Sequence, residues 1–165
     1  SANTFTSLSP TRTTHLSDEI LRAAAMVLEG GPCEIGLEST VIDVTGTPTI
    51  LRPGKLSAQD ISLALGFEVT VGGDYARSPG NHPKHYSPRA RVELVERLSP
   101  QDAGLTLHDA ATPNQIQMPA KESEYARALY HALHTLDALG VELIAIEKPP
   151  NEWKAVWDRL LRASS

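Results

Sequence analysis

The chain has 165 residues, a net charge of -5 and a sequence pI near 5.6. No basic run is present, which argues against tight, direct RNA binding, and no apolar run approaches the roughly 20 residues of a membrane span. Hydrophobic content of 41% and charged content of 21% fit a soluble globular protein, while 5% aromatic content leaves the core to Val, Ile, Leu and Ala. The single cysteine, Cys33, excludes an internal disulfide and fits a reducing compartment. The polar N-terminus lacks the apolar segment of a signal peptide.

Ser9-Pro10 reads as a helix cap with Pro at the first helical position. Ser17, with Asp18 and Glu19, starts a helix carrying Ile20, Leu21, Ala24, Val27 and Leu28 at helical spacing, and Gly30-Gly31 ends it. Cys33 to Gly36 reads as a short strand. Thr40 to Val44 and Thr49 to Arg52 read as a hairpin turning at Gly46 and Pro48. Leu56 to Gly66 is a short helix with a Ser57/Asp60 capping box, a Leu56/Ile61 staple and a glycine stop. Phe67 to Val71 is another strand.

From Gly72 to Pro88 the composition shifts to Gly and Pro, as in an extended linker. This spacer also carries Tyr75, Arg77, Asn81, His82, Lys84, His85 and Tyr86. A second module follows. Arg91 to Glu96 alternates as a strand, and Leu105 to Leu107 and Gln115 to Met118 are weaker ones. Ser123 to Leu139 is the strongest helix, with Ala126, Leu129, Leu133 and Leu136 on one face and Gly140 behind it. Val141 to Ile146 is a buried-type strand. Glu152 to Arg162 is a final helix with Trp153, Val156 and Leu160 inward. That order predicts a small parallel-sheet, Rossmann-like α/β module. The predicted organisation is 1–71, linker 72–90, and 91–165.

Polar clusters fall at loops and turns, where binding groups are usually presented. Each has a plain structural explanation by itself. Ser-Pro-Thr can cap a helix, Glu38-Ser39-Thr40 can open an edge strand, and Arg52 can be a surface arginine. His82 with His85, and His131 with His134, have no Cys or carboxylate company, so solvated histidines are the better reading than zinc ligands.

Taken together, Ser1-Ala2-Asn3, Ser9-Pro10-Thr11, Gly30-Gly31-Pro32-Cys33, Gly36-Leu37-Glu38-Ser39-Thr40-Val41-Ile42-Asp43 and Ile50-Leu51-Arg52-Pro53-Gly54 resemble the YrdC-like family of threonylcarbamoyl-AMP synthases. Ser78-Pro79-Gly80 and Lys84-His85-Tyr86-Ser87-Pro88 resemble the linker of the two-domain members. Tyr125 to Tyr130, Leu136-Asp137, Gly140 and Asp158-Arg159-Leu160 resemble their extra C-terminal domain. The resemblance implies a partial YrdC-like twisted mixed sheet with helices, followed by the small module.

It also implies a reaction. L-threonine, bicarbonate and ATP form threonylcarbamoyl-AMP and pyrophosphate, Mg2+ arrives with ATP, and a partner transferase complex passes the carbamoyl group to tRNA. That chemistry asks for positioned clamps and exclusion of water rather than a protein nucleophile. By resemblance, Ser1 and Ser39 contact threonine. Asn3, Ser9, Thr11, Arg52, His85 and Tyr86 contact ATP, with His85, and with it Lys84 and Tyr86, closing the linker as a lid. The expected location is cytoplasmic, with tRNA met only indirectly and no membrane contact.

Three departures from the family pattern stand out. Its N-terminal segment, with a Lys-x-Arg pattern, is absent here, so the chain is expected to begin partway through the catalytic domain and to be inactive alone. The linker has Asn81-His82-Pro83 where many relatives carry Met and an aromatic. Between Glu96 and Leu105 there is no room for the usual helix. The alternatives are a non-catalytic nucleotide-binding or subunit-docking module, and an RNA-binding translation factor, against which the acidic composition weighs.

Overall fold

A computed structural model describes residues 2–4, 6–72 and 86–165. The predicted contacts of Ser1, Lys84 and His85 therefore lie outside the described residues, as does most of the linker.

The first unit holds a three-stranded mixed sheet in the order β1-β2-β3, formed by Val41–Asp43, Thr49–Arg52 and Thr70–Val71. The β1–β2 hairpin is antiparallel, with a register shift between Val41 and Ile42, and β3 joins β2 in parallel. As the central strand, β2 buries Ile50, Leu51 and Arg52. Helix α2, Ala58–Leu65, starts on the predicted capping box: Ser57 accepts from the Asp60 amide while the Asp60 carboxylate accepts from the Ser57 amide. Gly66 closes it at φ 75°, where a side chain would be strained.

Three expectations change. Helix α1 is only Asp18–Ala23, because Ala24 is already extended at φ -79°, ψ 130°. Leu21, Val27 and Leu28 keep helical spacing but stay exposed, and a short helix without a packed face is marginal. Cys33 to Gly36 forms no strand: one backbone bond ties Cys33 to the Thr11 carbonyl, and Gly36 turns at φ 80°. Ser9 caps no helix. The nearest helical turn is a 3-10 turn over Thr13–His15 with Arg12 at its cap position.

The second unit is a four-stranded, all-parallel sheet in the order β4-β7-β5-β6, from Arg91–Val95, Leu143–Glu147, Gly104–Thr106 and Gln115–Gln117. Ile144, Ala145 and Ile146 are buried, the continuous apolar pattern of a central parallel strand. Helix α3, Glu122–Ala138, buries Tyr125, Ala126, Leu129, Tyr130, Ala132, Leu133 and Leu136. Helix α4, Lys154–Ala163, buries Ala155, Val156, Arg159, Leu160 and Ala163. The chain between β4 and β5 contains no helix, as its length requires.

The end of the linker is part of the fold. Tyr86 is 2% exposed and lies in the same core as Leu8, Tyr125, Leu129 and Val156. Ser87 pairs with Ser7 in an isolated parallel bridge, and its amide donates to the Thr6 carbonyl at 2.9 Å. Asp137 at the end of α3 accepts from the Ala90 amide and the Arg89 guanidinium, both at 3.0 Å. These bonds fix where the linker enters β4.

Candidate functional site

Two backbone turns create the site. The loop before β1 carries Glu38 and Ser39, and the end of β2 carries Arg52 and Pro53. Gly54 lets them meet: a Cβ there would overlap the Thr40 amide and the Ser39 and Glu38 backbone. On the other side, a Cβ at Gly36 would stand 2.5 Å from the Arg127 Cα and 2.7 Å from its carbonyl oxygen, so only glycine lets this loop lie on α3.

Arg52 joins two other expected site residues, Ser39 and Tyr86. Its Nε and Nη2 donate to the Ser39 carbonyl at 3.2 and 3.1 Å, and its Nη1 donates to the Tyr86 hydroxyl at 3.1 Å. Arg52 is buried, whereas the Ser39 residue is exposed. Tyr86 sits in the left-handed region at φ 60°. A bulky residue holds that conformation only when its surroundings fix it. Here the Arg52 bond, the Tyr130 ring at 5.9 Å and the Arg159 guanidinium at 5.6 Å do so. Burial, followed by the nearby Glu38 charge, pushes the Tyr86 phenol up from its ordinary value, so it is neutral at pH 7.

Behind this group lies a buried polar network centred on Glu38. Its carboxylate accepts from the Ser9 hydroxyl, from Tyr130 OH at 3.0 Å and from Arg159 Nε at 2.8 Å. Arg159, with a fully buried side chain, also donates to the Glu38 carbonyl at 3.2 Å, the Pro53 carbonyl at 2.8 Å and Asp158 at 2.7 Å. Burial pushes the Glu38 carboxyl up, but the Arg159 charge and the Ser9 and Arg159 hydrogen bonds outweigh it and hold it below its ordinary value. The pair is charged, and each member is satisfied by further bonds, as a buried ion pair requires.

Asn3 and Thr11 lie elsewhere. Asn3 donates to the Thr4 and Ser7 carbonyls at 3.2 and 2.9 Å, shaping its own loop. Thr11 is buried and bonds the His15 ring through its amide at 3.2 Å and its hydroxyl at 3.3 Å. Asn3 and His15 both line a cleft of about 190 Å³ that also takes in Ser7, His134 and Asp137.

Ser9, Arg52, Ser39 and Tyr86 are thus one connected group, with Asn3 and Thr11 outside it. Sequence reasoning gave no role to Glu38, Tyr130 or Arg159. One signal was available for Arg159. It falls among Ala155, Val156 and Ala163 on the inward stripe of α4, where a charge needs a partner. Reasoning also missed that His131 and His134 stack on His15, with ring centroids 5.4 and 4.0 Å apart. Among the described residues, no group of three or more His, Cys, Asp or Glu is arranged to hold a metal.

Comparison with known proteins places this arrangement in a family. A family model described as "Threonylcarbamoyl-AMP synthase, C-terminal domain" matches residues 56–165, and the Sua5, YciO and YrdC model, described as "Telomere recombination", matches residues 1–54. Threonylcarbamoyl-AMP synthase of Pyrococcus abyssi is 31% identical over 99% of this chain and 56% of its own length. The Schizosaccharomyces pombe enzyme is 28% identical over 100% of this chain and 51% of its own length. The chain therefore spans about half the length of the curated relatives it matches. The crystal structure of P. abyssi Sua5 complexed with L-threonine superposes with a TM-score of 0.83 at 30% identity, over 99% of this chain and 56% of that one. A P. abyssi Sua5 variant with an adjacent His and Tyr both changed to Ala superposes with a TM-score of 0.81 at 28% identity, over 99% of this chain and 55% of that one. The chain belongs to the Sua5/YrdC-like threonylcarbamoyl-AMP synthase family.

Proposed function

We propose that this chain carries part of the site of an L-threonylcarbamoyladenylate synthase, which condenses L-threonine, bicarbonate and ATP and releases pyrophosphate. The observation that carries the reading is the junction at Arg52, where the Ser39 backbone, a buried guanidinium and the Tyr86 hydroxyl meet within 3.2 Å. Arginine presents a planar fork of donors suited to phosphate, and here it stands beside the proposed threonine contact, Ser39.

The threonine complex of the P. abyssi protein supports threonine as a substrate, and in this reading Ser1 and Ser39 bind it. Asn3, Ser9, Thr11, Arg52, His85 and Tyr86 belong to the ATP side. Ser9 acts there through Glu38, since its hydroxyl donates to that carboxylate. His85-Tyr86 is the one His-Tyr pair in this sequence, and the P. abyssi double variant changes an adjacent His and Tyr. A magnesium ion would come with ATP, held by phosphate oxygens and water. Catalysis rests on holding a threonine carbamate in line with the α-phosphate, so that its oxygen displaces pyrophosphate, and on keeping water away from that carbamate. The product would pass to a transferase complex acting on tRNA in the cytoplasm. No helix among the described residues is long and apolar enough to cross a membrane.

The test incubates the intact protein with radiolabelled threonine, bicarbonate and ATP and separates nucleotides by chromatography. Label must appear in an adenylate only when all three substrates are present. Binding of ATP without any labelled adenylate would favour a nucleotide-binding module instead.

A further inference from the structure

We propose that Arg159 and Tyr130, from the second module, are positioning residues for the Ser39–Arg52 junction, so that the C-terminal module braces the substrate site of the first unit. The inference rests on the functional reading above for what the junction binds, but its geometry stands independently.

Arg159 grips both chain segments that form the junction. It donates to the Glu38 carbonyl, one residue before Ser39, at 3.2 Å, and to the Pro53 carbonyl, one residue after Arg52, at 2.8 Å. Its Nε meets the Glu38 carboxylate at 2.8 Å, and Tyr130 OH meets the same carboxylate at 3.0 Å. The two segments are therefore bonded to each other through Arg52 and jointly to the second module through Arg159. Arg159 is itself immobilised. Its side chain is fully buried, Asp158 pairs with it at 2.7 Å, and the Tyr86 ring lies 5.6 Å from its guanidinium. Asp158 is held in turn by Arg162 at 2.8 Å. A fixed fork of five donors serving three acceptors on one neighbouring unit is a rigid brace rather than a surface ion pair. Gly36, which brings this loop onto the α3 backbone at Arg127, adds steric registration at the same junction. Displacement of a binding group by about 1 Å is enough to cost about 100-fold in rate.

The experiment compares Tyr130→Phe and Arg159→Lys with Leu133→Ala, a core variant of α3 that destabilises the second module without touching the network. Hydrogen exchange followed by mass spectrometry reads the amides of residues 37–41 and 50–54 against those of β7. With each substitution carried in the intact protein, calorimetry reads L-threonine and ATP affinity, and steady-state assays separate KM from kcat. Tyr130→Phe should raise exchange in the two junction segments while β7 stays protected. It should weaken threonine affinity roughly tenfold, the scale of one lost hydrogen bond to a charged group, mostly in KM. Arg159→Lys should do the same more strongly, because an ammonium cannot serve Glu38 and Pro53 together. Exchange that rises uniformly, as in Leu133→Ala, or junction segments left unchanged by both network variants, would overturn the brace. Should the unsubstituted protein bind neither threonine nor ATP, the functional reading fails, and the exchange pattern still decides whether the module braces the junction.

Discussion

The helices of the two units differ in what they bury. α3 and α4 seat apolar stripes on the four-stranded sheet, with Leu129, Leu133, Val156 and Leu160 at or below 1% exposure. α1 and α2 bury no residue, and Met26, Leu28 and Leu63 are 75% exposed or more. Each fully buried Leu or Val contributes about 1.5–3 kcal/mol, so the second unit holds itself together by its own core. The first unit packs on the second through Leu8, Tyr86, Gly36 and the Glu38 network.

The largest break in that comparison should come from the network. Arg159→Leu leaves the Glu38 carboxylate buried beside Tyr130 and Ser9 without its cation, which costs about 3–5 kcal/mol. Urea unfolding should show this loss. A cost under 1 kcal/mol would mean that the first unit does not depend on Arg159.

Core truncation tests the asymmetry itself. Leu129→Ala, at 0% exposure, should cost about 2–5 kcal/mol. Leu63→Ala, at 77% exposure, should stay within about 0.5 kcal/mol. Equal costs measured by the same unfolding curves would erase the distinction between the units. Gly54→Ala comes next, at about 1–3 kcal/mol, because the new methyl must push the Glu38–Thr40 backbone aside. Its effect should be read as a fall in thermal midpoint together with weaker threonine binding.

How much of this was legible depended on whether the signal was local. The Ser57/Asp60 capping box, Gly66, the β1–β2 hairpin and the stripe on α3 are all set by residues within a few positions of one another, and all are where the sequence placed them. The length of α1 was misjudged because periodicity at Leu21, Val27 and Leu28 says that a helix could pack, not that a surface exists to receive it. The motifs identified Ser39, Arg52 and Tyr86, which the fold brings together. Glu38 and Arg159 are 121 residues apart, and a pairing at that distance leaves no trace in either local pattern beyond a charge on an apolar stripe. Ser9 was legible as a motif residue and misread in its local role, since a Ser-Pro pair fits a helix cap as well as it fits a hydroxyl aimed at a buried carboxylate.

The smallest effect concerns the histidines where the units meet. Burial first, then the His134, His131 and Arg12 charges, lowers the His15 value to about 4. Burial, then Arg12, also lowers His131. Burial lowers His134 against the opposing pull of the Ser9 carbonyl and Asp137. Neutral His15 accepts from the Thr11 amide at Nδ1, so its Nε2 can donate to His131 Nδ1 at 3.2 Å. A proton on Nδ1 ends that arrangement. The unfolded chain binds protons near pH 6.5 and the folded chain only near 4, so the contribution is full above about 6.5 and is lost as pH falls toward 4. His15 is only partly buried, and solvent screening keeps the effect to about 1 kcal/mol or less. Glu38 acts in a lower window. Its depressed carboxyl contributes above the ordinary carboxylate range and loses that contribution only as pH falls through its own lowered value. Thermal midpoints measured from pH 7 to 4 should therefore decline gently in the parent. His15→Gln should flatten that decline above pH 5 while leaving the loss carried by Glu38 at lower pH in place. A decline that His15→Gln does not alter would assign the pH response to groups away from this contact.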